Sequence, residues 1–99
     1  MRVIFDEVVE DTIHISKIED VNDYYIFAVD ENHQISYLDR YRDSAYLIEK
    51  SIGGDQRGSL ISNIPGNVKL WMERKKEVHV FQSTELYETA LIKRIKELY

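Results

Sequence analysis

Two spacings of apolar residues divide the chain. In the first third, "TIHISKI" sets Ile13 and Ile15 on one side with His14 and Ser16 on the other, and "YYIFAV" is a fuller apolar run. A period of two reads as strand. The polar stretch "DENHQ" between Val29 and Ile35 supplies turn residues before "QISYL" resumes, which predicts an antiparallel hairpin over residues 24–38. A shorter turn, "DVND", precedes it. The period then changes, because Leu38, Tyr41, Ala45, Ile48 and Ile52 recur at intervals of three and four. That stripe predicts an amphipathic helix over residues 39–52, with Asp39 able to cap its start and Gly53 placed to close its end. Leu47 falls off the stripe and keeps a strand as the competing reading.

In the second half, "SLISNI", "PG" and "NVKLWM" suggest a hairpin with Pro65 and Gly66 at the two central turn positions. The competing reading starts a helix at Pro65, with Val68, Trp71, Met72 and Lys75 on one face. "ERKKE" then reverses the chain into the strand "VHVF" at 78–81. Residues 84–98 carry the best-marked helix, striped by Tyr87, Leu91, Ile95 and Leu98, capped by Ser83 or Thr84, with Glu88 early and Lys96 late. The expected fold is one α+β domain over residues 1–99. It has a mainly antiparallel sheet of five to seven short strands, one mid-chain helix and one C-terminal helix lying across a sheet face.

Ninety-nine residues, 43% of them hydrophobic, can bury one core and no second one. The absence of cysteine removes disulfides, thiolate metal sites and thiol nucleophiles, and suits a reducing, cytoplasmic setting. No apolar run approaches the roughly 18 residues of a membrane span, and the opening residues lack a secretory apolar core. Charge is uneven. Residues 1–33 hold nine acids against Arg2 and Lys17, whereas residues 67–99 hold seven cations against five glutamates.

All four glycines and the only proline lie between Gly53 and Gly66. Gly53, Gly54 and Gly58 with Arg57 could form a backbone nest for an anion. The cluster lacks the lysine-threonine ending of a phosphate loop, and it precedes a strand where such loops precede a helix. A structural loop is the better reading. His14 and His79 share no ligand spacing with one another and are expected to face solvent beside the alternating isoleucines and valines, so no metal and no cofactor is predicted. No serine sits in a nucleophile elbow and no carboxylate pair is marked for acid–base work, so no enzyme is predicted.

Two binding readings are left. Trp71 beside Arg74, Lys75 and Lys76 has the aromatic-plus-basic composition that holds single-stranded nucleic acid or a nucleotide, but a pI of 5.1 opposes a phosphate footprint. The acidic first third favours a protein partner with a basic surface, engaged by Asp6, Glu7, Glu10, Asp11, Asp30 and Glu31 together with Tyr24 and Tyr37. The leading expectation is therefore a small acidic protein, monomeric or in a small homo-oligomer, that binds another protein in the manner of an inhibitor, immunity factor or phage accessory protein. The alternative is a small-ligand, nucleotide or single-stranded nucleic-acid module using Arg57 or the Trp71 to Lys76 region.

Overall fold

The computed structural model of the chain describes residues 2–5, 8–10, 24–41, 45–52 and 58–99. Seven strands form one sheet: β1 (Arg2–Phe5), β2 (Val8–Glu10), β3 (Tyr25–Val29), β4 (Ile35–Tyr41), β5 (Tyr46–Ser51), β6 (Ser59–Ser62) and β7 (Glu77–Phe81). Helix α1 (Pro65–Glu73) lies mid-chain and α2 (Tyr87–Leu98) is C-terminal. The strand order is β2-β1-β7-β3-β4-β5-β6, with β1 and β7 parallel and every other pair antiparallel. The fold is α+β. The predicted strand "TIHISKI", with His14, and the turn "DVND" lie outside the described residues.

The central pair β7 and β3 explains the layering. "YIFAV" and "EVHVF" are too apolar for a sheet with one wet face, and a strand that reads this way must be covered on both sides. On one side Ile26, Ala28, Val78 and Val80 join Leu38 and Leu47 beneath Val68, Trp71 and Met72 of α1. On the other, Phe27 and Phe81 lie beneath Ala90, Leu91 and Ile95 of α2. The described residues form a helix, a sheet and a helix in three layers.

The β3–β4 hairpin forms where the spacing placed it, pairing Ile26 with Leu38 and Val29 with Ile35. Its turn is built by Asp30, whose carboxylate accepts the N–H groups of Asn32 and Gln34 at 2.8 and 2.9 Å. His33 takes a left-handed φ of 61° there. The helix expected over 39–52 is instead the pair β4 and β5, in register from Ser36 opposite Ser51 to Tyr41 opposite Tyr46. The stripe misled because it runs across two short strands, and its intervals of three put successive members on opposite sheet faces. Leu47, the residue off the stripe, is buried in the core, while the stripe's Ile52 is exposed. The mid-chain helix lies at 65–73.

There the hairpin reading gives way to the helical one. Pro65 occupies the first turn, where its missing N–H costs no hydrogen bond, and Val68, Trp71 and Met72 face the sheet. In α2 the stripe docks through Tyr87, Leu91 and Ile95, but Leu98 stays about half exposed. Leu86, not Ser83 or Thr84, occupies the N-cap position; the Ser83 hydroxyl accepts the Glu85 N–H one turn earlier.

Leu91 is among the most deeply buried side chains, so Leu91→Ala should destabilise the fold by about 2–5 kcal/mol through lost burial and a residual cavity. Chemical denaturation measures this, and a change below about 0.5 kcal/mol would mean that α2 does not dock through this face.

Candidate binding surface

Among the described residues, those singled out from sequence do not converge. Tyr24 and Asp30 stand at opposite ends of β3, roughly 20 Å apart at the rise of an extended chain. Tyr24 packs on Phe5 toward the α1 layer, while Tyr37 stands with Tyr87 in the α2 layer. Glu10 is opposite Val3 near one sheet edge. Asp6, Glu7 and Asp11, like Gly53, Gly54 and Arg57, lie outside the described residues. Of the acidic set, Asp30 is committed to the turn it builds and Glu31 is exposed beside it. Gly58 has a packing role: a Cβ there would strike the Glu49 carbonyl oxygen and the Ile48 side chain, so β6 can approach β5 only with glycine at this point.

Trp71 is not the platform its basic neighbours suggested. It is 6% exposed, and its indole N–H donates to Glu49 Oε2 at 2.5 Å. The same oxygen receives Lys75 Nζ at 2.9 Å and the Ser36 hydroxyl at 3.3 Å, and the Lys75 ammonium lies 5.0 Å from the indole centroid. Burial opposes the charge on Glu49, but the hydrogen bonds from Lys75 and Trp71 and the Lys75 charge outweigh it and hold this carboxyl below the usual range. Glu49 pins α1 to β5. Lys75 and Trp71 are thereby spent on structure, and Arg74 and Lys76 remain at the surface.

His79 corrects a second expectation. It is 4% exposed, stacked on Phe27 with centroids 4.4 Å apart, and its Nε2 lies 2.6 Å from Glu77 Oε1. The Tyr99 hydroxyl donates to that same carboxylate oxygen at 2.6 Å. Strand alternation turns this histidine inward because α2 covers the face that sequence reading assigned to solvent. Burial pushes the ring below the ordinary histidine range; Glu77 works against this, and Arg94 and Arg2 reinforce it. The ring is therefore neutral and donates from Nε2, so that proton is committed to Glu77. A groove of roughly 280 Å³ beside it is lined by Ile4, Phe81, Arg94, Glu97 and Leu98. Among the described residues no three His, Cys, Asp or Glu side chains come together as metal ligands.

One exposed apolar surface was not singled out from sequence. β6 ends the strand order, and among the described residues no strand pairs with its outer side. Leu60 on β6 is 53% exposed, Leu70 on α1 is 56% exposed and Ile64 between the two elements is 58% exposed. The groove between β6 and α1, roughly 250 Å³, is lined by Leu60, Ile61, Asn67, Leu70, Trp71 and Arg74. Two signals for it were present: Leu70 lies off the buried stripe of α1, and "SLIS" carries none of the charges or prolines that blunt an edge strand.

No protein-family model matches this chain, and no curated protein and no solved structure matches it either.

Two consequences can be measured. Glu49→Ala should cost about 1.5–3 kcal/mol in chemical denaturation, because it leaves the Trp71 and Lys75 donors facing an apolar layer without their acceptor. For His79, the folded chain resists protonation, so between its depressed folded pKa and the unfolded value of about 6.5 the unfolded chain binds more protons. Its contribution to stability is whole above about pH 6.5 and is lost as the pH falls below it. Denaturation at pH 7.5 and pH 5.5 should show this loss in the wild type, and His79→Gln, which keeps a donor but does not titrate, should flatten it.

Proposed function

We propose that this protein acts by binding another protein, and that it makes the contact with the edge formed by β6 and α1. The observation that carries this reading is an uncharged edge strand flanked by Leu60, Ile64 and Leu70, each more than half exposed. Exposed apolar residues cost solubility, and several of them around an edge strand with unpaired backbone are an ordinary mark of a protein contact. The acidic residues that suggested a protein partner serve this reading only at long range. A net charge of −5 favours encounter with a basic partner, while the described carboxylates are too dispersed to form the contact itself. The nucleic-acid alternative loses its main support because Trp71 is in the core.

The test is a paired substitution, Leu60→Lys with Leu70→Lys, at positions exposed enough that stability should change by less than about 0.5 kcal/mol each. Proteins retained by the wild type from nuclease-treated lysate should be lost by this variant. Retention of the same proteins by the variant, or capture that occurs only when nuclease is omitted, would overturn the reading.

A further inference from the structure

Resting on that reading, we infer that the partner offers an extended segment that adds to the sheet antiparallel to β6, as an eighth strand. The segment carries an apolar side chain followed two residues later by an aspartate or glutamate.

The backbone sets the mode of contact. The Asn63 N–H donates to the Ala45 carbonyl at 3.1 Å, and that pair continues the β5–β6 register of Tyr46 opposite Ser62 and Leu47 opposite Ile61. Antiparallel ladders alternate, so Asn63, Ile61 and Ser59 turn their polar groups toward β5, and Leu60 and Ser62 turn theirs away from it. The Ser62 carbonyl is taken by the Ile64 N–H at 2.8 Å. Leu60 is left presenting both N–H and C=O outward, with the Ser62 N–H beside it. Only an extended chain meets three such groups in line, and an antiparallel one exchanges both bonds with Leu60.

The side chains set the order of the motif. α1 starts three residues after β6 and runs back along it, since Lys75, just past its C-terminal end, reaches Glu49, the residue opposite Ser59. Asn67 therefore lies toward the Ser62 end of the groove and Arg74 toward the Ser59 end. A strand antiparallel to β6 travels from the first to the second. Its residues on the α1 side meet Leu70 and the Trp71 rim first, which suits an apolar group, and Arg74 next, two positions on. Arg74 is the single charged side chain lining the groove among the described residues, so the complement there is a carboxylate. A second copy of this chain fits less well. Two β6 strands paired about a two-fold axis would set each Arg74 against the other copy's Ser62 and Asn67, which have no negative charge.

The probes are synthetic peptides of about nine residues with alternating threonine and valine flanks. One has Leu-Thr-Asp at its centre, one Leu-Thr-Asn, and one the reversed Asp-Thr-Leu. Titration of the full chain, followed by amide NMR shifts and hydrogen exchange, should show the Leu-Thr-Asp peptide saturating the Leu60 and Ser62 amides and slowing their exchange. The asparagine peptide and Arg74→Gln should each weaken binding about fivefold, and together no further, as expected for one exposed ion pair. Leu60→Pro, tolerable because that N–H points away from the sheet, should weaken it about tenfold with the fold intact by circular dichroism. Binding that is lost with Leu60→Pro but indifferent to the aspartate and to Arg74 would overturn the motif and leave the edge as a protein contact. No shift at Leu60 or Ser62 with any peptide would overturn the inference, with the lysine pair above still deciding the broader reading. Dimerisation abolished by Leu60→Pro would overturn it too, and would assign the edge to a second copy.

Discussion

The structure depends on covering both faces of the β7–β3 pair. Those strands carry Val78, Val80, Phe81, Ile26, Phe27 and Ala28 with almost no polar relief, so neither face can meet water and each needs a helix. Among the described residues two helices serve the purpose. A helix with its side chains is about 10–12 Å wide, and seven strands at about 4.8 Å spacing make a sheet nearly three times that width. The helices settle over the centre, and among the described residues the margins are left thinly covered. β6 receives only the flank of α1, and the exposed Leu60 and Leu70 follow from that geometry.

Within these layers the few inward polar groups act as fasteners. Glu49 sits on the α1 side of the sheet, where an isolated carboxylate would be costly, and is stabilised by three donors, one from α1 (Trp71) and one just past its C-terminal end (Lys75). Those contacts fix the rotation of α1 about its own axis, which keeps Trp71 inside and turns Leu70 and Arg74 outward to form one wall of the groove. His79 and Glu77 play the corresponding part on the opposite face, where Tyr99 ties the end of α2 to the sheet. A burial requirement in the middle of the sheet is thus connected, through one carboxylate, to the shape of the surface at its edge.

Local pattern determined those elements whose partners lie close in sequence or whose signal is long. The β3–β4 hairpin is given by a continuous apolar run and an alternating one around a turn that Asp30 can build, and α2 by apolar spacing sustained over more than three turns. The α+β class follows from these together with β7. Residues 39–52 could not be decided locally, because a stripe with intervals of three and four can arise by coincidence across two short strands. The six-pair ladder between β4 and β5, and the cover that α1 places over Leu47, decided it. Trp71, Lys75 and His79 are of the same kind: aromatic, basic and titratable residues whose chemistry is legible in sequence, but whose exposure is set by what packs against them. Glu49 lies 22 residues from Trp71 and 26 from Lys75, and no local pattern joins them. The sequence by itself determined composition, charge and the periodic elements, since these are properties of neighbouring residues. Only the tertiary structure decided which aromatic ring and which histidine are buried and which strand stays uncovered, because exposure is what remains after distant segments have packed.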